Sequence, residues 1–191
     1  MYLIGTTFDL NHIKEACIAL DSGKANGKIV VKENWLIGGY MIMTCKMTIQ
    51  PCNIEHIKRY GEIYASAFSG EPWNDPWKPE DASIHIRDLL ESKTAYGLEC
   101  IVDGQVAGFV VGTSMLFHYG RTFEINDLAV DPLYQRRGIA NQLMERILSD
   151  IKKQGMVGVH LITSSEGFLQ SFYGKFGFSK ENRVVLMGKE L

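Results

Sequence analysis

Apolar residues recur at helical spacing in several stretches of this sequence. The apolar positions from Ile139 to Ile151 are four residues apart and predict an amphipathic helix over Gly138–Lys153. Apolar residues at similar spacing follow Asn53, which suits a helix cap, and Pro79 suits the first position of another helix. The predicted helices are 53–68, 79–92, 138–153 and 167–176.

The segments between these helices have the patterns of β-strands. Thr122–Val130 alternates, while Val157–Ile162 is short and continuously apolar, as in the centre of a sheet. Asp103-Gly104 separates two apolar runs and predicts a hairpin. The predicted strands are 47–50, 98–102, 106–113, 122–130, 157–162 and 184–189. The order β-α-α-β-β-β-α-β-α-β predicts an α/β (α+β) domain over residues 47–191.

Residues 1–46 do not continue this pattern. Ile13–Leu20 is a candidate helix, and Lys28–Lys32 is a candidate strand. Residues 5–31, with Phe8-Asp-Leu and Asp21-Ser-Gly-Lys-Ala, resemble the C-terminal tail of a zinc-type medium-chain dehydrogenase or quinone oxidoreductase, without its catalytic or cofactor motifs. We expect an N-terminal extension, either a gene-fusion remnant or a misplaced start, and the alternative is an extra layer packed on the core.

Composition narrows the class of protein. An apolar fraction of 46% fits one globular domain, and a net charge of −2 without a basic stripe argues against a nucleic-acid partner. The four cysteines have no metal-ligand or disulfide spacing, so we expect reduced thiols and no metal. There is no membrane span or signal peptide in the sequence, which favours the cytoplasm.

The segment Glu124–Ala140 carries the strongest signal for function. An alternating strand runs into Asp131-Pro132, then into the basic loop Gln135-Arg136-Arg137-Gly138, and a helix follows at once. A glycine and free N–H groups at a helix N-terminus form a phosphate cradle. The loop is neither a P-loop, which needs Gly-Lys-Ser/Thr, nor a Gly-x-Gly-x-x-Gly dinucleotide fingerprint.

The arrangement Gln-x-x-Gly-x-Ala after a strand ending in Leu-Ala-Val resembles the GCN5-related N-acetyltransferases (GNAT superfamily). The resemblance implies a mixed central sheet, splayed between two parallel strands, with helices on both faces. It also implies acetyl-coenzyme A as co-substrate, with pantetheine along the backbone of the splayed strand and pyrophosphate in the cradle. Arg136 and Arg137 are alternatively solvated surface charges, and Gln135 alternatively only holds the loop. The implied coenzyme-binding residues are Leu128, Ala129, Val130, Gln135, Arg136, Arg137, Gly138, Ile139, Ala140 and Asn141.

The same resemblance implies acid–base chemistry. Glu124 falls on the general-base glutamate of the histone-acetylating members and is favoured over Asp127, which strand alternation places on the opposite face. The alternative is that both carboxylates are structural. Tyr173, in Phe-Tyr-Gly-Lys-Phe-Gly-Phe, matches the general acid that protonates the leaving thiolate, or else is a core aromatic. Glu166 replaces a common pantetheine-binding asparagine, so Ser165 or its neighbour Ser164 is expected to substitute.

The acceptor side of the site is predicted in two loops. Trp73, Asp75 and Trp77 precede the second helix and suit an organic cation, or else staple two helices. His118 lies between two strands and is a further candidate.

We therefore expect an N-acetyltransferase that moves acetyl directly to a primary amine of a small molecule, as monomer or homodimer. The alternatives are a protein N-terminal or lysine acetyltransferase and a non-catalytic acyl-coenzyme A binding module.

Overall fold

The computed structural model of the protein describes residues 7–8, 30–32, 40–41, 46–165 and 167–190. Within residues 1–46 it contains a three-stranded sheet in which β1 pairs parallel with β2, and β2 pairs antiparallel with β3. The predicted strand at 28–32 is confirmed in part as β2. The predicted helix at 13–20 lies outside the described residues, and the domain boundary at residue 46 stays a prediction. The three strands are β1 (Thr7–Phe8), β2 (Val30–Lys32) and β3 (Tyr40–Met41).

A separate five-stranded sheet forms the framework of the rest of the chain. Its strands follow one another in sequence order, and every neighbouring pair is antiparallel except β7 and β8, which are parallel. The predicted mixed sheet is therefore confirmed. The strands are β4 (Met47–Pro51), β5 (Ala95–Val102), β6 (Gln105–Phe117), β7 (Gly120–Val130) and β8 (Gly158–Leu161).

Local sequence signals fix where the helices begin. The Asn53 side chain accepts a hydrogen bond from the Glu55 N–H at 3.0 Å and caps a short 3-10 helix that leads into α1. Pro79 opens α2, as predicted. The helices are α1 (Ile57–Phe68), α2 (Pro79–Leu90), α3 (Ile139–Lys153) and α4 (Leu169–Gly174), with 3-10 turns at Ile54–His56 and Pro132–Tyr134.

The core has two parts, one on each face of the five-stranded sheet. Leu143, Met144 and Ile147 of α3 are fully buried in the first cluster, together with Leu98 and Phe123 of the sheet. The second cluster holds α1 and α2 against the other face, with Tyr60, Ile86, Phe109 and Ala129 among its members. Helices thus cover both faces, as the α/β class requires.

The predicted closing strand at 184–189 is wrong. These residues have no regular secondary structure, and Val184, Val185, Leu186 and Met187 are 68–85% exposed. Because no strand pairs with its far side in the described residues, β8 lies at the edge of the sheet and not at its centre. An apolar run raises strand propensity, but a strand forms only where a partner supplies the ladder.

Candidate active site

The strand β7 extends beyond its parallel partner β8. Their pairing ends at Ile125 and Leu161, although β7 continues for five residues to Val130. Among the described residues, the β8 side of this last part of β7 has no strand partner. A gap between two parallel strands is open at their carboxyl ends, where ligands bind in α/β sheets.

Asp131 anchors the loop that follows β7. Its carboxylate is only 6% exposed, accepts a hydrogen bond from the Leu133 N–H at 2.8 Å, and pairs with the Arg59 guanidinium of α1. Arg59 also donates from Nε to the Val106 carbonyl at 3.2 Å. Helix α1 and the sheet therefore hold the start of the loop in place. Sequence reasoning missed Arg59, because nothing local to α1 identifies its partner.

Gly138 forms the turn into α3. Its φ of 78° lies in the left-handed region, and no side chain caps the helix at this residue. A Cβ built on Gly138 has no atom within 4 Å, so space lies open in front of the helix N-terminus. The first N–H groups of a helix lack intrahelical acceptors, and they belong here to the predicted cradle residues Ile139, Ala140 and Asn141. The Ile139 side chain is buried, so only its backbone faces the opening.

The three residues before Gly138 play different parts. Gln135 donates from Nε2 to the Val130 carbonyl at 3.2 Å, so its side chain holds the loop. Arg136 adopts a positive φ of 63°, and the Arg137 guanidinium lies 5.2 Å from the centre of the Tyr134 ring.

The predicted pantetheine-binding residues line the gap through their backbone. The side chains of Ala129 and Val130 are buried in the core, and Leu128 packs on the first cluster. On the other side of the gap, the Thr163 hydroxyl is buried without a hydrogen-bond partner in the described structure. Ser165 is exposed, and its carbonyl accepts from Gln170 Nε2 at 2.9 Å.

A β-bulge in β7 changes the face on which the acidic residues lie. Val111 pairs with Asp127 and Gly112 pairs with Ile125, so Asn126 is an extra residue on β7. Ile125 packs in the first core cluster, whereas Asp127 contacts residues of α1 and α2 on the other face. Simple alternation predicts opposite faces for Glu124 and Asp127, and that prediction is wrong because the bulge brings both to the α1/α2 face.

Asp127 lies within a cluster of polar and aromatic side chains. Asp127 is 7% exposed, and its carboxylate accepts a hydrogen bond from His85 Nε2 of α2 at 2.9 Å. The hydrogen bond and the negative charge of Asp127 raise the pKa of His85 above its usual value, against the opposing effect of partial burial. Burial and the same carboxylate raise the pKa of Tyr64.

Glu124 has a different environment. Its carboxylate is 31% exposed and lies 3.9 Å from Nε2 of His160, its register partner on β8. This contact is longer than a hydrogen bond, and the His160 side chain is itself 52% exposed. Glu124 is therefore the less enclosed of the two candidate carboxylates.

Tyr173 lies on α4, packed edge-on against Phe172 and Phe178. Burial and, to a smaller extent, the charge of Asp127 raise the pKa of Tyr173 to about 12. The hydroxyl therefore keeps its proton at neutral pH.

Two of the predicted acceptor residues, Trp77 and Asp75, belong to the cluster around Asp127, and Trp77 makes the ring contacts. The Trp77 ring lies 5.2 Å from Tyr64 and 5.5 Å from His85, and the backbone N–H of Trp77 donates to the Asp75 carbonyl at 2.9 Å. Trp73 packs instead on Phe68, at 5.6 Å.

His118 lies elsewhere, at the turn between β6 and β7. Its ring contacts Tyr119 at 4.9 Å. The described contacts therefore associate His118 with the tip of the β6–β7 hairpin and not with the Asp127 cluster. Its role in acceptor binding stays a prediction.

Comparison with known proteins identifies the family. The model of the GNAT acetyltransferase family matches residues 57–178, which include the splayed strands, the cradle and Tyr173. The chain belongs to the GNAT acetyltransferase family. It is therefore an acyltransferase, and the family uses acetyl-coenzyme A as co-substrate.

Individual GNAT relatives agree with this assignment. The chain is 30% identical to an acetyltransferase of Sodalis glossinidius over 63% of its own length and 78% of the relative's. It is also 30% identical to the N-alpha-acetyltransferase RimI of Mycobacterium tuberculosis, over 64% of this chain and 72% of that protein. The solved structure of aminoglycoside N-acetyltransferase AAC(6')-Iy in complex with coenzyme A has the same fold, with a TM-score of 0.62 and 18% identity over 79% of this chain and 99% of that one.

His85 and Tyr64 are the functional candidates of this GNAT domain that sequence reasoning missed. Both occur on amphipathic helices whose pattern shows only which face is apolar. A polar residue beside the apolar positions Ala82 and Ile86 was the available signal for His85. Its partner Asp127 lies 42 residues away, and no local pattern identifies it.

The described residues show neither a group of metal-ligand side chains nor a membrane-spanning helix. No group of three or more His, Cys, Asp or Glu side chains in them has an arrangement suited to a metal ion. No helix in the same part of the GNAT chain is long and apolar enough to cross a membrane.

Proposed function

We propose that this protein is an N-acetyltransferase that transfers acetyl from acetyl-coenzyme A directly to a primary amine of a small cationic molecule. The observation that carries the proposal is the enclosed Asp127 carboxylate, paired with His85 in a domain of the GNAT family. Direct transfer needs a group that favours loss of the amine proton and a second group that protonates the departing sulfur. An enclosed carboxylate and a protonated phenol supply these two properties.

The residues present fit the coenzyme. Gly138 leaves room for a phosphate at the N-terminus of α3, where the N–H groups of the first turn have no intrahelical acceptors. The unpartnered Thr163 hydroxyl suits a polar group in the gap between β7 and β8. When bound there, the coenzyme supplies the acetyl thioester. We propose that Leu128–Val130 hold its arm and that Arg136 and Arg137 neutralise its phosphates.

For the carboxylate of the acceptor side, we propose Asp127 in place of Glu124. Asp127 is enclosed and held by His85, whereas Glu124 is more exposed and lies near His160. A buried negative charge attracts an ammonium group more strongly than an exposed one does. Asp127 is thus the better charge for attracting the ammonium group of the acceptor into the site.

The surroundings of Asp127 favour a cation of small size. The rings of Tyr64 and Trp77 lie beside His85, the partner of Asp127, and Asp75 adds a second negative charge near Tyr64. Aromatic faces and carboxylates together bind organic cations. Aminoglycosides are acceptors in this chemical class, and AAC(6')-Iy, named for such an acceptor, shares the fold.

Replacing Tyr173 with Phe tests the proposal. This change keeps the ring and removes the proton, so we expect kcat to fall about 10²-fold or more, while acetyl-coenzyme A affinity stays the same. Tyr96→Phe is the matched control, because the pKa of Tyr96 is also raised to about 12, by burial and by Asp150 at the far end of α3. Equal turnover of the Tyr173→Phe variant and wild type would remove Tyr173 from the mechanism.

A panel of acceptors separates the proposed function from its alternatives. Free thiol release is measured with polyamines, amino acids, aminoglycosides and peptides bearing free N-termini or lysines. Turnover with peptides alone would favour a protein acetyltransferase, as the similarity to RimI allows. Tight coenzyme binding without turnover on any amine would favour a binding module.

We also propose that the protein acts in the cytoplasm. Cys52 and Cys100 are free thiols, as expected in a reducing compartment. Fractionation of native cells, followed by detection of the protein in each fraction, tests this location.

A further inference from the structure

We propose that His85 is the general base that takes the proton from the acceptor amine, and that Asp127 acts by orienting and charging its imidazole. This inference rests on the proposed function, because it assigns the proton acceptor within the same site. No residue was predicted for this role on α2, and the assignment follows from the contacts of that helix with β7.

The geometry fixes the imidazole in one orientation. Nε2 of His85 lies 2.9 Å from Oδ2 of Asp127, and an ionised carboxylate only accepts hydrogen bonds. Nε2 therefore carries the hydrogen, and the lone pair of the neutral ring is on Nδ1. The ring is also held between Tyr64, at 5.3 Å, and Trp77, at 5.5 Å.

Access distinguishes His85 from Asp127. The His85 side chain is 36% exposed, while the Asp127 side chain is 8% exposed and already accepts a hydrogen bond from His85. The imidazole is therefore the part of this pair that an incoming amine meets. It is also the stronger base, since imidazole binds a proton near neutral pH and an ordinary carboxylate does not.

The proton balance of the reaction is complete with His85 and Tyr173. Nδ1 of His85 takes one proton from the ammonium group, and the freed nitrogen lone pair forms the bond to the acetyl carbonyl carbon. The carbon–sulfur bond breaks, and the Tyr173 hydroxyl gives its proton to the sulfur. The nitrogen loses a second proton as the amide forms, which restores Tyr173, and His85 releases the first proton to water.

Four side chains surround His85. Asp127 of β7 faces Nε2, Tyr64 of α1 and Trp77 contact the ring, and Asp88 on α2 adds a second negative charge. The charge of Asp75 acts on Tyr64, and the charge of Asp127 also acts on Tyr173. Since the pKa of His85 is raised, its basic form is present above that pKa and is lost as the pH falls through it.

The kinetic test uses His85→Gln and His160→Gln as a matched pair. Glutamine keeps a donor near the position of Nε2 but cannot take a proton at neutral pH. We expect His85→Gln to lower kcat/KM about 10²-fold and to abolish the limb of the pH profile that rises through the histidine pKa. His160→Gln should keep that limb. The pH profile is measured with two acceptors that differ in amine pKa. The limb that reports the amine shifts with the acceptor, whereas the limb that reports His85 does not.

A second readout is independent of turnover. Proton titration of the His85 imidazole by NMR should give a lower pKa in Asp127→Asn than in wild type, because the variant loses the negative charge. An unchanged His85 pKa in this variant would overturn the pairing. Acetyl-coenzyme A affinity of His85→Gln should match that of wild type, which shows that the fold and the cradle remain.

The outcomes also separate this inference from the proposed function. If His85→Gln retains the wild-type pH profile while Tyr173→Phe is inactive, His85 is not the base and the proposed function stands. Loss of the limb in His160→Gln instead would assign the base to the Glu124 side of the site. A wild-type protein that acetylates no amine would overturn both proposals.

Discussion

Gly138 shows how one residue combines two properties of the coenzyme site. Its φ of 78° is strained for any residue with a side chain, and the space in front of it is empty of protein atoms. Gly155, after α3, has nearly the same backbone angle of 80° and equally open surroundings. Comparison of these two glycines therefore separates backbone strain from loss of the anion site.

We predict that Gly138→Asp lowers acetyl-coenzyme A affinity at least about tenfold, because the negative side chain occupies the phosphate position. A loss of about 1.4 kcal/mol of binding free energy is enough for a tenfold change. Gly155→Asp should carry the same strain and leave the affinity unchanged. Calorimetric titration of both folded variants measures this. Equal affinities for the two variants would remove the cradle from coenzyme binding.

We predict low thiol reactivity for Cys52 and Cys100 in the native protein. Burial raises the pKa of Cys52 to about 12 and that of Cys100 to about 11. Because the thiolate is the reactive form, both should alkylate slowly at pH 7–8 in the native protein and rapidly in denaturant. Peptide mapping by mass spectrometry after iodoacetamide treatment follows each residue separately, and fast native labelling of Cys100 would contradict its buried position.

Single residues differ in how far the sequence predicts them. Gly138 was predicted because its role depends on a loop and a helix that are continuous in the chain. His85 was missed because its role depends on Asp127, and Asp127 was ranked second because alternation does not reveal the bulge at Asn126. Roles set by contacts between distant elements are the part that the sequence alone leaves open.

At the scale of elements, a buried carboxylate joins α1 to β4 and β5. Glu99 is fully buried and accepts hydrogen bonds from the Tyr60 hydroxyl at 2.5 Å and from Gln50 Nε2 at 2.7 Å. His56 Nδ1 lies 2.8 Å from the same carboxylate. This network orients the helix that carries Tyr64 and Arg59 into the site.

We predict that Tyr60→Phe lowers the free energy of unfolding by about 1–3 kcal/mol, because it removes a donor from a buried carboxylate. Tyr119→Phe is the control, since Tyr119 is 59% exposed, and it should change stability by less than about 0.5 kcal/mol. Urea unfolding of both variants measures the difference. A Tyr60→Phe variant as stable as wild type would show that the network adds nothing to stability.

The helices and strands were predicted unequally well. Helices α1, α2 and α3 have local signals, namely a cap, a proline or a four-residue apolar repeat, and each was predicted to within a few residues. The segment 184–189 has an apolar sequence but no partner strand in the described structure, so its strand propensity led to a wrong prediction. Strand pairing depends on residues far apart in sequence, which a local pattern does not contain.

At the scale of the whole molecule, the residues of the candidate site all belong to the part of the chain that forms the five-stranded sheet and the helices packed on it. The strands within residues 1–46 pair with one another and belong to a different sheet. The family match also begins after them, at residue 57. The N-terminal segment is therefore expected to be dispensable for catalysis.

We predict that a protein lacking residues 1–40 keeps acetyl-coenzyme A affinity and kcat within about twofold of the full chain, because the deletion leaves both core clusters intact. Circular dichroism establishes that the shortened protein is folded, and calorimetry and thiol release measure the two properties. A folded but inactive truncation would show that the N-terminal strands complete the site.

The bulge in β7 also affects how this protein is aligned with its relatives. Glu124 and Asp127 are three residues apart here, yet they lie on one face of the strand. In a relative without the extra residue, carboxylates at the same two places would be only two residues apart. A gapless alignment of the two sequences would then match Asp127 with a residue on the wrong face. A gap at Asn126 restores the equivalence, so catalytic residues are better transferred between such proteins by superposition than by sequence column.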